Sequence, residues 1–306
     1  MSETPKISIA VCTYNRSDVL PKCLESLVDQ TVDSKLFEVL IIDNHSTDDT
    51  KKIATDFCEK YVNFKYIFEE KQGLSHARNR AIAEAEGEYL AYIDDDAIAD
   101  KDWIKKIESV IQNNKDITAF GGPIYPWYNK EKPKWFKDEF ATHSYGKQHF
   151  QLNEQNCPFG LSGSNMIFKK ELLNKYNGFP AEYGMTGDKI AFGEESCLFN
   201  KMLKNNENIQ YFPEIFVSHL VSEKSYSLKE AFKRSVQNGK AIAQIRGSKL
   251  LSVDSIKKIS MFCLSFFELM IFTLPGIFSK ALFYKKLKKF GYFAGYIAEI
   301  FFSRIS

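Results

Sequence analysis

Between residues 7 and 96 the chain repeats one pattern: a short apolar run, a polar loop, then apolar residues at helical spacing. Ile7 to Thr13 reads as a buried strand, and Ser17 is placed to cap the helix whose buried face is Val19, Leu20, Cys23, Leu24, Leu27 and Val28. Pro21 is tolerated because it falls in the first turn. Phe37 to Asp43 begins the next unit, with Asn44 to Asp49 as loop and cap before a helix to about Tyr61. Phe64 to Phe68, a helix opened by Gln72 to Ala81, and Tyr89 to Ile93 follow. Strands alternating with helices predict an α/β fold, a mostly parallel sheet flanked by helices. Ligands of such sheets bind at the carboxyl ends of the strands, where Asp43, Asp94 and Asp96 fall.

The last of these runs leads into Asp94, Asp95 and Asp96. In an extended segment residues two apart face the same side, so Asp94 and Asp96 would point together and Asp95 away. Two hard oxygen donors with open positions suit Mg2+ or Mn2+ shared with a diphosphate. The same residues could instead be a solvated or helix-capping acidic loop.

Composition narrows the class without choosing a reaction. A length of 306 residues allows one large domain or two, and a net charge of +2 gives no reason to expect nucleic acid. Cysteines 12, 23, 58, 157, 197 and 263 show no paired spacing, which predicts reduced thiols rather than disulfides or a zinc site. The first six residues are polar and the apolar run after them is too short for a signal peptide, so the expected compartment is the cytoplasm.

Seven segments in order resemble family 2 glycosyltransferases with the GT-A fold: Val11 to Arg16, Ile42 to Thr50, Gly73 to Asn79, Ile93 to Asp96, Ser162 to Lys169, Gly193 to Leu198, and Val217 to His219. The resemblance covers roughly residues 5 to 245. It implies an inverting, metal-dependent enzyme that takes a sugar from a nucleotide-diphosphate sugar, expected to be a UDP-sugar. The acceptor implied is a saccharide or lipid-linked saccharide of a surface polysaccharide.

By the family pattern Asp43 accepts from the uracil imide, with loop capping as its alternative. The same pattern implies that Asp94 contacts ribose and Asp96 holds the metal, with His219 either a further ligand or a surface or hydrogen-bonded structural residue. The nucleotide-binding set takes in Thr13, Tyr14, Asn15, Arg16, Gly73 and Asn79, and Asp95 with no role of its own. Arg78 sits one turn into a helix, where a guanidinium can reach a diphosphate or simply face water. Of the pair Glu194 and Glu195, the pattern makes the second the general base; first-turn acids are also favoured by the helix dipole alone. Gly163, Ser164 and Asn165 resemble an acceptor-side or donor-sugar loop. Trp127 and Trp135 offer flat faces to a saccharide, or pin a long loop.

The last sixty residues differ in character. Ile259 to Ile277 is almost wholly apolar, interrupted by Glu268 and Pro275-Gly276, and lysines 257, 258, 280, 285, 286, 288 and 289 flank it. Apolar plus basic predicts a helical extension with an interfacial or re-entrant segment on an anionic leaflet, at the cytoplasmic face of a membrane; a buried hairpin or dimer contact is the alternative. The expected organisation is a nucleotide-sugar half at 1–120, an acceptor and base half at 121–247, and the extension at 248–306. Two rival functions share these features. A sugar-phosphate nucleotidylyltransferase would need a glycine-rich loop after the first strand, and a non-catalytic nucleotide-sugar binding module would need no base.

Overall fold

The computed structural model describes residues 4–156, 160–183, 193–247, 252–271 and 279–302. Cys157 and Pro275-Gly276 lie outside them; the other five cysteines are free thiols. The chain forms two compact units, one of residues 1–127, 142–188 and 194–220, the other of 128–141, 189–193 and 221–306.

The first unit opens with the expected alternation: β1 (Ile7–Thr13), α1 (Leu20–Val28), β2 (Phe37–Asp43), α2 (Thr50–Lys60), β3 (Phe64–Phe68), α3 (Leu74–Glu84) and β4 (Tyr89–Asp94). It continues through β5 (Ala97–Ala99), α4 (Trp103–Asn113), β6 (Ala119–Gly121), β7 (Ile124–Trp127), β8 (Phe150–Gln151), β9 (Met166–Lys169), α5 (Lys170–Lys175), α6 (Glu194–Lys204), β10 (Ile209–Tyr211) and β11 (Val217–Leu220). Helix α1 begins two residues later than a Ser17 cap requires, with Val19 at its N-cap and no side-chain bond there. The Ser17 amide is instead satisfied by Asp48 Oδ2 at 3.1 Å, a partner from the next loop that local pattern cannot foresee.

Eight strands form one sheet in the order β3-β2-β1-β4-β9-β6-β10-β8. The first four are parallel, β9 runs antiparallel to both neighbours, β10 is parallel to β6, and β8 closes the edge antiparallel to β10. Side chains alternate between two cores, as strand geometry requires. Ile7, Ile9, Val11, Val39 and Ile41 pack with α1 and Trp103 of α4 on one face; Ala10, Leu40, Ile42 and Tyr92 pack with Ala77 and Ala81 of α3 and Leu198 of α6 on the other. Burial on both faces explains why β1 and β2 read as continuous apolar runs. A second small sheet, β5-β11-β7, carries His219.

The second unit holds α7 (Leu228–Ile245), α8 (Val253–Ile271) and α9 (Lys280–Phe302). Helices α7 and α9 pack backbone to backbone. A Cβ on Gly239 would lie 2.0 Å from the Tyr292 carbonyl oxygen, and one on Gly295 1.9 Å from that of Val236, so glycine at both positions sets the approach. Tyr284, Phe293, Tyr296 and Ile300 of α9 are buried. Of the extension expected to lie on a surface, α9 therefore packs one face against its neighbours, and α8 is the more exposed half.

Candidate active site

Carboxylates, an arginine and a histidine converge beyond the C-terminal ends of β1, β2 and β4. The Asp94 to Asp96 segment does not remain extended: β4 ends at Asp94, the chain turns, and β5 starts at Ala97. Asp94 and Asp96 meet because of that turn and because β11 pairs with β5, His219 opposite Ala97. His219 Nε2 lies 3.0 Å from Asp96 Oδ1 and 3.4 Å from Asp94 Oδ2. One donor atom from each of the three falls within 4.8 Å of the others.

The expectation that Asp95 points outward is corrected by the same turn. Its side chain is buried and faces Arg16 Nε at 3.7 Å, while Arg16 also reaches Asp96 Oδ2 at 3.1 Å. Burial pushes the Asp95 carboxyl up to about 7, with Arg16 opposing and Asp96 adding to the rise. Burial also raises Asp94, but hydrogen bonds and charge from His219, with Arg78 and Ser164, outweigh it and hold Asp94 at about 2. Against the cost of burial, the two carboxylates lift His219 to about 10.

A second cluster centres on Arg78 of α3, which is 3% exposed. Its guanidinium donates to Glu194 Oε1 at 2.8 Å and Glu195 Oε1 at 3.1 Å, and stands 4.0 Å from Asp94. The ring of Phe179 lies under it at 5.3 Å. Arg78 therefore turns two of its donors to carboxylates. Burial opposes its charge, and Glu195, Glu194 and Asp94 keep it protonated. Burial and the neighbouring Glu194 push Glu195 up to about 7, Arg78 pulling the other way. Glu194 is buried and its Oε2 has no partner among the described residues; the Glu195 side chain keeps 23% of its surface open.

Asn79, expected at the nucleotide, is occupied elsewhere. It donates to the Phe179 carbonyl at 2.7 Å and accepts from the Phe179 amide at 2.8 Å, clamping the residue that underlies Arg78. Gly163 has a steric reason: a Cβ there would stand 2.2 Å from both Arg78 Nη2 and Glu195 Oε1. Ser164 donates to Asp94 Oδ2. Asn165 is fully buried and structural, donating to the Ile215 carbonyl at 2.8 Å and accepting from Trp103 at 3.1 Å.

Asp43 is 1% exposed, accepting from the Ser46 amide at 2.9 Å and the Tyr66 hydroxyl at 2.8 Å. Thr13 is buried at the end of β1, and Asn15, with φ of 51°, accepts from the Thr47 amide at 2.7 Å. Tyr14 is part-buried in the same loop. Gly73, at φ 139°, starts α3 and donates to Asn44 Oδ1 at 2.7 Å. Trp127 donates to the Asp96 carbonyl at 3.2 Å with Lys22 over its ring, so it braces the acidic turn. Trp135 belongs to the second unit, against Phe136 and Tyr284.

Sequence reading missed Tyr66, Phe179 and Trp103 as supports of the site. Gly178-Phe179-Pro180 carried a turn signal, and Gly178 has φ of 68°; nothing local marked the other two.

Residues 8–176 match the family described as glycosyl transferase family 2. The chain is similar to a glucosyl-dolichyl phosphate glucuronosyltransferase of Haloferax volcanii, 26% identical over 227 residues that take in 71% of this chain and 70% of that one. It is also similar to a poly(ribitol-phosphate) beta-glucosyltransferase of Bacillus spizizenii, 28% identical over 263 residues, 84% of this chain and 39% of the relative. Among solved structures, the mannosyltransferase PcManGT of Pyrobaculum calidifontis, in complex with GDP-Man and Mn2+, superposes with a TM-score of 0.64 at 17% identity, covering 93% of this chain and 85% of that one. S. aureus TarS 1-349 in complex with UDP gives 0.56 at 18%, covering 92% and 89%. At these identities the likeness is one of fold.

Proposed function

This chain belongs to glycosyl transferase family 2, and from that premise we propose that it moves a sugar, with inversion, from a nucleotide-diphosphate sugar to a saccharide or lipid-linked saccharide acceptor. A UDP-sugar is the donor we favour, used at the cytoplasmic face of a membrane in surface polysaccharide assembly. The observation that carries the reading is the convergence of Asp94, Asp96 and His219 at the strand ends, beside an open-sided glutamate held by a buried arginine. The H. volcanii and B. spizizenii relatives, named for a dolichyl phosphate and a ribitol phosphate polymer, support the acceptor class.

Two carboxylate oxygens and an imidazole nitrogen are a donor set that fits Mn2+ or Mg2+. A divalent ion held by Asp94, Asp96 and His219 would supply the positive charge that a departing diphosphate needs. Arg16, half exposed beside Asp96, is the cation we assign to the phosphates. Asp43 and the loops after β1 and β2 form the nucleoside side. Glu195 accepts the proton of the acceptor hydroxyl as that oxygen bonds to the anomeric carbon and the bond to the diphosphate oxygen breaks. Attack opposite the leaving group inverts the centre. Arg78, Asn79 and Phe179 hold Glu195 in place, and a carboxyl raised to about 7 is well matched to proton transfer near neutral pH.

Asp96→Asn tests the reading. With a panel of nucleotide sugars, wild type should show Mn2+-dependent UDP release that the variant lacks, along with loss of the metal-dependent part of UDP binding. Near wild-type release at limiting Mn2+ would remove Asp96 from the site.

A further inference from the structure

Helix α8 is turned inside out. It packs against α9 through the aromatic pair Phe262 and Phe290 at 5.1 Å, and it buries Ser255, 0% exposed, and Ser265, 1% exposed. Its acidic Glu268 also faces α9, 3.1 Å from both Lys286 and Lys289. Leu264, Phe267 and Ile271, at i, i+3 and i+7, form one outward stripe with Met261 and Met270 beside it, and Ile256 extends the same face beyond the exposed Ser260. Phe267 is 65% exposed. A surface helix of a folded domain does the opposite, burying its apolar stripe and showing its hydroxyls and charges. An exposed apolar strip such as that from Met261 to Ile271 marks a contact surface.

Charge selects the occupant. Helices α8 and α9 together carry seven lysines against Asp254, Glu268 and Glu299. Lys257 is exposed in the first turns of α8. The Glu268 to Lys286 and Phe262 to Phe290 contacts make α9 antiparallel to α8, which brings the exposed Lys280 and Lys285 towards the other end of the stripe. A second copy on this face would set lysine edge against lysine edge. An anionic leaflet supplies both what the stripe lacks and what the lysines need. No helix among the described residues is long and apolar enough to cross a membrane.

We propose that α8 is an interfacial helix that lies in the plane of an anionic bilayer, its Ile256 to Ile271 stripe in the acyl boundary and its flanking lysines at the headgroups. This rests on the membrane-surface reading above for where the acceptor is met, but on none of the catalytic assignments. It also separates the roles of the two helices: α8 makes the contact, and α9 is the platform that holds it.

Sedimentation of the 306-residue protein with vesicles tests this. Wild type should pellet with mixed phosphatidylcholine and phosphatidylglycerol vesicles and do so about tenfold less with phosphatidylcholine alone. The double variant Leu264→Glu, Phe267→Glu should lose vesicle recovery while melting at the wild-type temperature, since both residues already face solvent. Lys257→Glu with Lys285→Glu should weaken recovery on the anionic vesicles only. Wild type remaining in the supernatant with both vesicle types, or the Leu264/Phe267 variant pelleting like wild type, would overturn the proposal. So would a wild-type dimer that this variant converts to monomer, which would make the stripe a contact between copies. Mn2+-dependent UDP release without vesicles keeps the questions apart: normal release with no vesicle binding defeats only the α8 assignment, and vesicle binding with no metal-dependent release by any donor defeats only the transferase reading.

Discussion

Arg78 and α8 break the usual rule of burial in opposite directions. At the strand ends of the first unit a guanidinium and a carboxylate are nearly solvent-free, Arg78 and Glu194 each 3% exposed, while on α8 of the second unit serines are buried and phenylalanine stands in water. Buried charge is expensive unless it is paired inside the protein, and Arg78 is paired with two glutamates within 3.1 Å. Exposed apolar surface costs the folded chain little by itself, so nothing in α8 needs an internal remedy. One departure is compensated within the fold and is therefore rigid machinery. The other is left open to a partner outside it.

The sharpest way to break this contrast is Arg78→Met, which leaves the buried Glu194 and the open-sided Glu195 beside no cation. Removing one partner of a buried pair costs about 3–5 kcal/mol, so urea unfolding should show a loss of that size together with loss of transfer. A stability change under about 1 kcal/mol would mean that the arginine is not bearing the glutamates.

Glu195→Gln separates chemistry from support. Transfer should fall by about 10²-fold or more with donor affinity held within a few-fold, the scale of a lost general base. If Glu194→Gln is the crippled variant instead, the base is its neighbour. In wild type the rate should climb as pH rises through about 7, because the free carboxylate is the active form. The stability sign is opposite. A carboxyl raised in the folded state contributes stability below its unfolded value near 4.5, and loses it as pH passes about 7. Glu195→Gln should therefore melt no lower than wild type at pH 8, and a lower melting temperature there would contradict the burial argument.

A smaller effect is expected of Gly163→Ala, whose new methyl would contact Arg78 and Glu195 directly. Overpacking of this kind costs about 1–3 kcal/mol, and here it should also lower transfer without changing UDP affinity. Wild-type rates would show that the loop shifts freely. Smallest of all, Leu264→Ser and Phe267→Ser should each alter unfolding free energy by no more than about 0.5 kcal/mol, as solvent-facing positions do. A larger loss at either would mean that α8 is covered in the folded protein.

Much of the first unit was legible because its signals are local. Continuous apolar runs bounded by polar loops marked β1 to β4 and the helices between them, and the order of the short motifs pointed to the residues that converge. Partnerships were less legible. Asn79 looked like a nucleotide contact and is a clamp on Phe179; Asn165 looked like an acceptor-side or donor-sugar contact and holds Trp103. The first of these bonds joins residues 100 positions apart and the second residues 62 apart, and no periodicity records them.

The amino-acid sequence by itself determined the α/β alternation, the carboxylates at the ends of the strands, the glutamate pair opening α6 and the apolar, lysine-flanked tail, because each follows from residue type and spacing along a few turns or one strand. Tertiary structure decided that Asp95 turns inward to Arg16, that Arg78 bears the glutamates, that Gly163 must have no side chain, and that α9 buries its aromatic face while α8 shows its apolar stripe. Both helices of that tail read alike as apolar and basic. Which of them is buried depends on which neighbour packs against it, and for α9 that is the glycine-bared face of α7, where two backbones can touch and a lipid cannot compete.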